Sequence, residues 1–183
     1  MAPSGTASAG EEAPHDGNGP VSGEGGPRNA GRTLTGGCQC GAVRYGITGP
    51  IFDAQICHCR MCQRAFGSYF APLGAVATAD IAWLSAPPQL YRSSPAAERG
   101  FCARCGTPLT FQYLHEPGEI SIALGSLDDP EAAPPLTQYG IESRLSFFAA
   151  LHALPGETTE ESTPAELLTR IRQKGADRHD GEA

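Results

Sequence analysis

The amino-acid sequence predicts a mainly β fold. Short apolar runs of strand length recur through the middle of the chain, and proline, glycine and aspartate residues separate them. Within this region only one run, residues 61–66, has the composition of a helical turn. Many short strands with turn residues between them are typical of all-β and mainly β domains.

The predicted strands follow one another at short intervals. The first, residues 42–48, alternates three apolar residues with Arg44 and Gly46, which indicates a half-buried strand. Pro72 lies inside another run, and proline in a strand predicts an edge position or a bulge because it has no N–H to donate. The remaining predicted strands are residues 51–57, 68–76, 89–93, 108–113 and 119–124.

The two ends of the chain differ from this middle region. Residues 1–32 consist mainly of Gly, Ala, Ser, Pro and acidic residues, which bury too little apolar surface to offset the entropy of ordering, so we expect a disordered low-complexity tail. Residues 33–155 form the predicted globular domain. Residues 156–183 form a polar tail with a short helix, whose start is indicated by Pro164 after two hydroxyl residues and by Glu166 in the first turn.

Charge and hydropathy exclude several classes of partner. The chain has 13 basic and 20 acidic residues and a formal net charge of -7, whereas nucleic-acid binding requires clustered Lys and Arg. No apolar run approaches the ~20 residues that span a bilayer, and the N-terminus lacks the basic and apolar segments of a secretory signal. We therefore expect a cytoplasmic protein with neither membrane nor nucleic-acid partners; the sequence does not predict its oligomeric state.

Seven cysteines carry the clearest chemical signal. In a reducing compartment clustered cysteines indicate metal binding or catalysis, and an odd number leaves one unpaired in any all-disulfide scheme. They fall into a C-x-C pair, a C-x-C-x-x-C trio and a C-x-x-C pair. These groups are Cys38 and Cys40; Cys57, Cys59 and Cys62; and Cys102 and Cys105.

The two pairs can together form a closed metal site. Alternate residues of a strand point to one face, so a C-x-C can present both sulfurs to one ion. A C-x-x-C followed by a glycine, here Gly106, is typical of zinc-ribbon turns. Two such pairs supply the four thiolates of a structural zinc. The spacing alone does not assign the pairs to sites.

The trio then has three ligands, and three protein ligands with one open position distinguish catalytic from structural zinc. A thiol substrate is a suitable fourth ligand, because zinc favours thiolates and stabilises them at neutral pH. Two alternatives stay open. His58 could complete a Cys₃His structural site, although on an extended chain it points away from residues 57 and 59. A C-x-x-C could also cycle as a redox pair, although no thioredoxin-like βαβ pattern surrounds either one.

Four motifs in order resemble the family of glutathione-dependent formaldehyde-activating enzymes and centromere protein V-like proteins, which share the GFA domain. They are "GGCQCGAVRY" (36–45), "CHCRMCQRAFGSYFAP" (57–72), "RGFCARCGTPLTF" (99–111) and "GSLDDP" (125–130). The resemblance covers roughly residues 33–154. It implies a β-tent of small antiparallel sheets around a structural zinc. It also implies carbon–sulfur lyase activity, in which formaldehyde and glutathione are joined as S-hydroxymethylglutathione.

The resemblance also implies which cysteines hold each of two zinc ions. The structural ion is assigned to Cys38, Cys40, Cys102 and Cys105. The catalytic ion is assigned to Cys57, Cys59 and Cys62. The chain departs from the family pattern near residue 138, where Gln138 replaces the usual histidine and Phe147 the usual tryptophan.

Three residues beside the trio are candidates for binding substrate. Arg60 and Arg64 could attract a carboxylate such as those of glutathione, and Ser68 could donate to an oxyanion that develops on the aldehyde oxygen. The leading hypothesis is a zinc-dependent carbon–sulfur lyase acting on adducts of a small thiol, such as glutathione, with an aldehyde. The alternatives are a non-catalytic zinc-stapled module that binds protein, and a redox or metal sensor.

Overall fold

The computed structural model describes residues 31–168, and their fold is mainly β, as predicted. Within these residues ten strands form two sheets, and three short α-helices and five 3-10 turns connect or follow the strands. The strands are β1 (Leu34–Gly37), β2 (Arg44–Ile47), β3 (Phe52–Cys57), β4 (Ala71–Ala77), β5 (Ile81–Trp83), β6 (Gln89–Ser94), β7 (Ala97–Phe101), β8 (Pro108–Tyr113), β9 (Glu119–Ala123) and β10 (Thr137–Tyr139). The helices are α1 (Arg60–Phe66), α2 (Thr159–Ser162) and α3 (Ala165–Leu168).

The two sheets differ in size. The smaller has the order β1-β2-β5 and the larger has the order β10-β3-β4-β9-β8-β7-β6. Every pair of neighbouring strands is antiparallel except β10 and β3, which are parallel. Parallel neighbours need a long crossover connection, and here most of the domain lies between β3 and β10 in the sequence. The resemblance implies antiparallel sheets, and the parallel pair of β3 and β10 is the one exception among the described strands.

Two clusters of buried residues form the core, and cysteines belong to both. The larger contains Cys38 and Cys102 and joins residues of both sheets, such as Tyr45 and Leu109. The smaller consists of Cys57, Cys62, Ala71 and Leu73. Each cysteine group thus lies within packed apolar surroundings, which fix the positions of its sulfurs.

Tyr45 anchors the smaller sheet to the core. Its side chain is fully buried, and its hydroxyl hydrogen-bonds Ser126 Oγ at 2.7 Å. The neighbouring strand accommodates the ring because residue 36 is glycine: a Cβ atom on Gly36 would overlap the Tyr45 ring. The packing of Tyr45 therefore requires Gly36, the first residue of the motif "GGCQCGAVRY".

Each of the six predicted strands corresponds to a strand of the structure, and the helical turn predicted at residues 61–66 is part of α1. The prediction for Pro72 was wrong, because β4 lies between β3 and β9. Pro72 pairs with Ile56, and the ladder with β9 begins only at Leu73, so proline is tolerated near the first residue of an interior strand. The bulge of the β3–β4 pair lies in β3, after Phe52.

The predictions for the chain ends are tested only in part. Residues 1–30 and 169–183 lie outside the described residues. The disorder predicted for residues 1–32 therefore falls almost entirely outside the described part of the chain. Helix α3 begins directly after Pro164, where the sequence places the start of the C-terminal helix. The division of the chain at residues 33 and 155 stays a prediction. No helix within the described part of the chain is long and apolar enough to cross a membrane.

Candidate metal centres

Four cysteines from two distant turns meet at one point. Cys38 and Cys40 lie in the turn between β1 and β2, and Cys102 and Cys105 lie in the turn between β7 and β8. Their four sulfurs all lie within 4.8 Å of one another. The Cys40 sulfur is 3.6 Å from that of Cys38 and 3.8 Å from that of Cys102. The structure therefore brings together the set that the resemblance assigns to a structural ion.

Both turns have conformations that aim sulfur atoms inward. Gly41 and Gly106 have φ angles of 75° and 78°, in the left-handed region that favours glycine. Gly106 N–H donates to the Cys102 carbonyl at 2.8 Å, which closes the second turn. The Val43 N–H donates to Cys38 Sγ at 3.2 Å, and the Thr107 hydroxyl lies 3.1 Å from Cys105 Sγ. Backbone and side-chain donors on sulfur are the surroundings expected for thiolate ligands.

The geometry of this four-cysteine site fits zinc. With Zn–S bonds of about 2.3 Å, the sulfurs of a tetrahedral site lie about 3.8 Å apart. Two of the sulfur–sulfur distances, 3.6 and 3.8 Å, match that spacing and are far longer than a disulfide bond. All seven cysteines are free thiols. The site can hold a metal ion, and its four sulfurs are consistent with zinc.

The trio is positioned by the junction of β3 with α1. Cys57 is the last residue of β3, Cys59 is the N-cap of α1, and Cys62 lies in the first turn of that helix. The Cys62 N–H donates to Cys59 Sγ at 3.4 Å, so one cysteine caps the helix that carries another. The three sulfurs lie within 4.8 Å of one another, and no fourth His, Cys, Asp or Glu of residues 31–168 joins them.

His58 turns away from the trio, as the alternation of an extended chain predicts. Its ring is fully buried and lies 4.6 Å from the Phe148 ring, nearly perpendicular to it. Its Nε2 hydrogen-bonds Gln138 Oε1 at 2.9 Å. Gln138, which stands where the family has histidine, therefore serves as the partner of His58. The Cys₃His alternative is not supported by this arrangement.

Arg99 is a basic residue buried against the trio. It lies on β7 and is only 5% exposed. Its Nη2 donates to Cys62 Sγ at 3.3 Å, and its guanidinium carbon lies 4.8 Å from the centre of the Phe111 ring. A hydrogen bond from Cys57 lowers the pKa of the Cys62 thiol to about 5; Arg99 acts in the same direction, and burial opposes both. The pKa of Cys57 is raised, chiefly because of its hydrogen bond with Cys62.

The trio forms part of the wall of a cavity of about 520 Å³. All three of its cysteines line this cavity, as do Arg99 and Phe111. Three acidic residues, Asp53, Glu116 and Glu119, also lie along it. The volume is in the range of small-molecule sites, about 300–1,000 Å³. The four-cysteine site lines neither this cavity nor a second one of about 290 Å³. The trio therefore faces space for a ligand, whereas the four-cysteine site borders neither of these two cavities.

The structure places the other predicted contact residues outside the cavity. Arg60 and Arg64 are exposed on α1, where Arg60 donates to the Gln63 side chain. Ser68 is exposed just after that helix. None of the three lines either cavity, and their roles in substrate binding stay predictions.

Sequence reasoning missed Arg99. It stands at the start of the third motif, "RGFCARCGTPLTF", beside a cysteine pair, and that position was the available signal. The strand that buries it, β7, was not predicted. Nothing in the sequence showed that the arginine would lie against the trio rather than against the cysteine pair that follows it.

The comparison with protein families agrees with the motifs. A family model described as glutathione-dependent formaldehyde-activating enzyme matches residues 33–142. Among solved structures, a crystal structure of a Rhodobacter sphaeroides protein is 24% identical. That alignment covers 57% of this chain and 98% of the other, with a TM-score of 0.46.

Proposed function

Because the chain belongs to the family of glutathione-dependent formaldehyde-activating enzymes, we propose that it is a zinc-dependent carbon–sulfur lyase that acts on adducts of a small thiol with an aldehyde. One observation carries this proposal. Of two cysteine groups that can hold a metal ion, one has four sulfurs and lines neither cavity, whereas the other has three and lines the larger cavity.

The residues of both groups fit zinc. Thiolate sulfur is the ligand that zinc prefers among protein side chains, and four sulfurs at tetrahedral spacing form a structural site. The trio supplies three, which leaves one position for a ligand that comes from the cavity. A zinc ion held by the trio would lower the pKa of a substrate thiol that takes this position and would favour its thiolate form.

The chain's own residues supply the surroundings for that chemistry. Arg99 places a fixed positive charge beside Cys62 and would offset part of the negative charge of the three cysteine thiolates when they hold a metal ion. Phe111 and Leu73 give the cavity apolar wall, which excludes water from a bound thiol. The fixed junction of β3 and α1 keeps the three sulfurs together before any ligand arrives, so the site is preorganised.

The family name points to glutathione as the thiol and formaldehyde as the aldehyde. Formation of the adduct joins sulfur to the aldehyde carbon, and cleavage reverses this step. The non-catalytic alternative is a zinc-stapled module that binds a protein. The two functions differ in one requirement. The enzyme must admit a thiol to the cavity beside the trio, whereas a protein-binding module need not.

Zinc content and thiol binding test the proposal together. We would measure zinc per chain in the wild type and in Cys59→Ser, and glutathione binding to both by calorimetry. We expect two zinc ions in the wild type and about one in a folded Cys59→Ser protein that no longer binds glutathione. Cys40→Ser, in the four-cysteine site, is the matched variant, and there we expect loss of folded protein rather than selective loss of thiol binding. Two zinc ions without binding of any thiol would contradict the enzyme proposal and favour the protein-binding module.

A further inference from the structure

Arg99 carries a buried hydrogen-bond donor that no described residue uses. Its side chain is 5% exposed, and its Nη2 donates to Cys62 Sγ at 3.3 Å. Its Nη1 is buried and has no hydrogen-bond partner among residues 31–168. Burying such a donor without an acceptor costs free energy, and nearly all buried polar groups in proteins have a partner. An acceptor from outside the chain would satisfy it.

The position of Arg99 limits where that acceptor can lie. The two terminal nitrogens belong to one rigid planar fork, so a group that reaches Nη1 lies close to the sulfur that Nη2 contacts. Arg99 and the three cysteines of the trio line the same cavity. Arg99 also borders the smaller cavity, whose lining includes apolar Phe66, Phe101 and Pro108 but none of the three cysteines. An acceptor that belongs to a thiol adduct therefore fits the larger cavity, beside the trio.

We infer that Arg99 is a catalytic residue whose Nη1 donates to the oxygen of the thiol–aldehyde adduct. This inference rests on the proposed function, because it takes the trio as the place where the substrate sulfur lies. The oxygen of such an adduct is attached to the carbon that is bonded to sulfur. When the sulfur is held at the trio, that oxygen is therefore near the guanidinium that already contacts Cys62.

The charge of the reacting oxygen explains why an arginine is suited to this position. When a thiolate adds to an aldehyde, the sulfur–carbon bond forms and the π electron pair of the carbonyl moves to oxygen. That oxygen then takes up a proton from solvent, equal to the one that the thiol released there, so the new hydroxyl group is neutral. Until this proton arrives, the oxygen is an anion. A buried guanidinium stays protonated, does not transfer its own proton and stabilises the anion through a charge-assisted hydrogen bond.

The structure favours Arg99 over Ser68 as the donor to this oxygen. Ser68 was predicted as the donor to the oxyanion, but it is exposed and does not line the cavity. Of the described residues along the cavity, Arg99 is the single basic one. A purely structural role, as counter-ion of Cys62 and in contact with the Phe111 ring, leaves Nη1 without an acceptor among residues 31–168.

The inference is tested with two thiols of similar size on the zinc-loaded protein. Mercaptoacetate has an anionic oxygen close to its sulfur, and 2-mercaptoethanol has a neutral hydroxyl in nearly the same place. By calorimetry we expect wild type to bind mercaptoacetate on the order of tenfold more tightly than 2-mercaptoethanol, as for a buried charge-assisted hydrogen bond. In Arg99→Met the two thiols should bind with nearly equal affinity, because the neutral thiol loses little.

Two further variants keep the test decisive. Arg99→Lys retains the positive charge at a single nitrogen, so we expect it to keep its zinc and to lose most of the preference for mercaptoacetate. It remains informative if Arg99→Met does not fold. Arg92→Met makes the same substitution at an exposed arginine of β6 that lines neither cavity, and there the preference should stay within twofold of wild type.

The outcomes separate the two proposals. Failure of every thiol to bind the zinc-loaded wild type would overturn the proposed function. Binding of both thiols with an unchanged preference in Arg99→Met, or with the full wild-type preference in Arg99→Lys, would overturn the role of Arg99 alone. The role would also be overturned if Arg60→Met or Arg64→Met abolished the preference while Arg99→Met retained it.

Discussion

Gly140 lies so close to Cys59 that a Cβ atom on Gly140 would be 2.9 Å from the Cys59 backbone nitrogen. Gly140 follows β10, the strand that pairs in parallel with β3, and it has a φ angle of 68°. The preceding residue, Tyr139, accepts a hydrogen bond of 2.8 Å from the His58 N–H. The chain after β10 is thus in contact with the backbone that presents the trio.

Replacement of Gly140 by alanine should disturb the trio and leave the four-cysteine site intact. Alanine is strained at this φ angle and its Cβ would push against Cys59, so we expect Gly140→Ala to lower the free energy of unfolding by about 1–3 kcal/mol. Zinc content should fall by about one ion per chain. Gly118→Ala is the control, because a Cβ atom there meets open space. Equal melting temperatures and zinc contents for the two variants would contradict this prediction.

Loss of one ligand from the four-cysteine site should unfold the domain. Cys102 is 1% exposed and belongs to the larger core cluster, which joins the two sheets. Structural zinc in small peptides contributes about 10–16 kcal/mol to folding, which is comparable to the whole stability of a domain, about 5–15 kcal/mol. Far-UV circular dichroism of Cys102→Ser should therefore show no cooperative thermal transition. A transition within a few degrees of wild type would show that the site is dispensable for folding.

The ion pair between Arg44 and Asp128 should contribute measurably to stability. Both terminal nitrogens of Arg44 donate to the Asp128 carboxylate, one of them at 2.8 Å, and both side chains are about two-thirds buried. This contact joins β2 to the loop after β9, so we expect Arg44→Met to reduce the free energy of unfolding in urea by about 1–3 kcal/mol. Arg92→Met should cost less than about 1 kcal/mol, because Arg92 is exposed and 3.9 Å from Glu98. Similar costs for the two variants would refute the distinction.

The acidic residues along the larger cavity should weaken the binding of anionic thiols. Glu119 is exposed, lines the cavity and carries the same sign of charge as glutathione. We expect Glu119→Gln to tighten glutathione binding about two- to threefold at low salt, and the gain should shrink above about 0.1 M salt, where the Debye length is about 10 Å. Calorimetry at two salt concentrations measures this effect. Glu131→Gln, at an exposed position outside the cavity, should change nothing, and a gain that does not depend on salt would point to another cause.

The sequence predicted those elements whose structure is determined by residues close together in the chain. The C-x-C-x-x-C spacing brings its three sulfurs together through one strand end and one helical turn, so nearby residues determine that geometry. Strands β3 and β8 were predicted because an apolar residue stands at every second position along each of them. The four-cysteine set followed from ligand counting together with the family resemblance, and the structure brings its sulfurs together.

Distant contacts determine the features that were missed. Strand β1 has the sequence LTGG, whose two glycines disfavour a strand, and it forms because it pairs with β2. Strand β10 has three residues and depends on β3, which lies some eighty positions earlier. The contact between Arg99 and Cys62 likewise joins two remote elements. Arg60 and Arg64 lie on the side of α1 that faces solvent, and Ser68 is exposed just after that helix. Their closeness to the trio in the sequence does not reveal this exposure.

The separation of the cysteines along the chain has a consequence for biosynthesis. Cys40 and Cys102 are 62 residues apart, whereas the trio occupies a segment of six residues. Closing the longer loop costs about 2 kcal/mol more in chain entropy than closing the shorter one. A nascent chain therefore presents a local three-sulfur metal ligand soon after residue 62 leaves the ribosome, while the four-sulfur set is incomplete until residue 105 has emerged. We therefore expect zinc that is supplied during translation to reach the trio before the four-cysteine site.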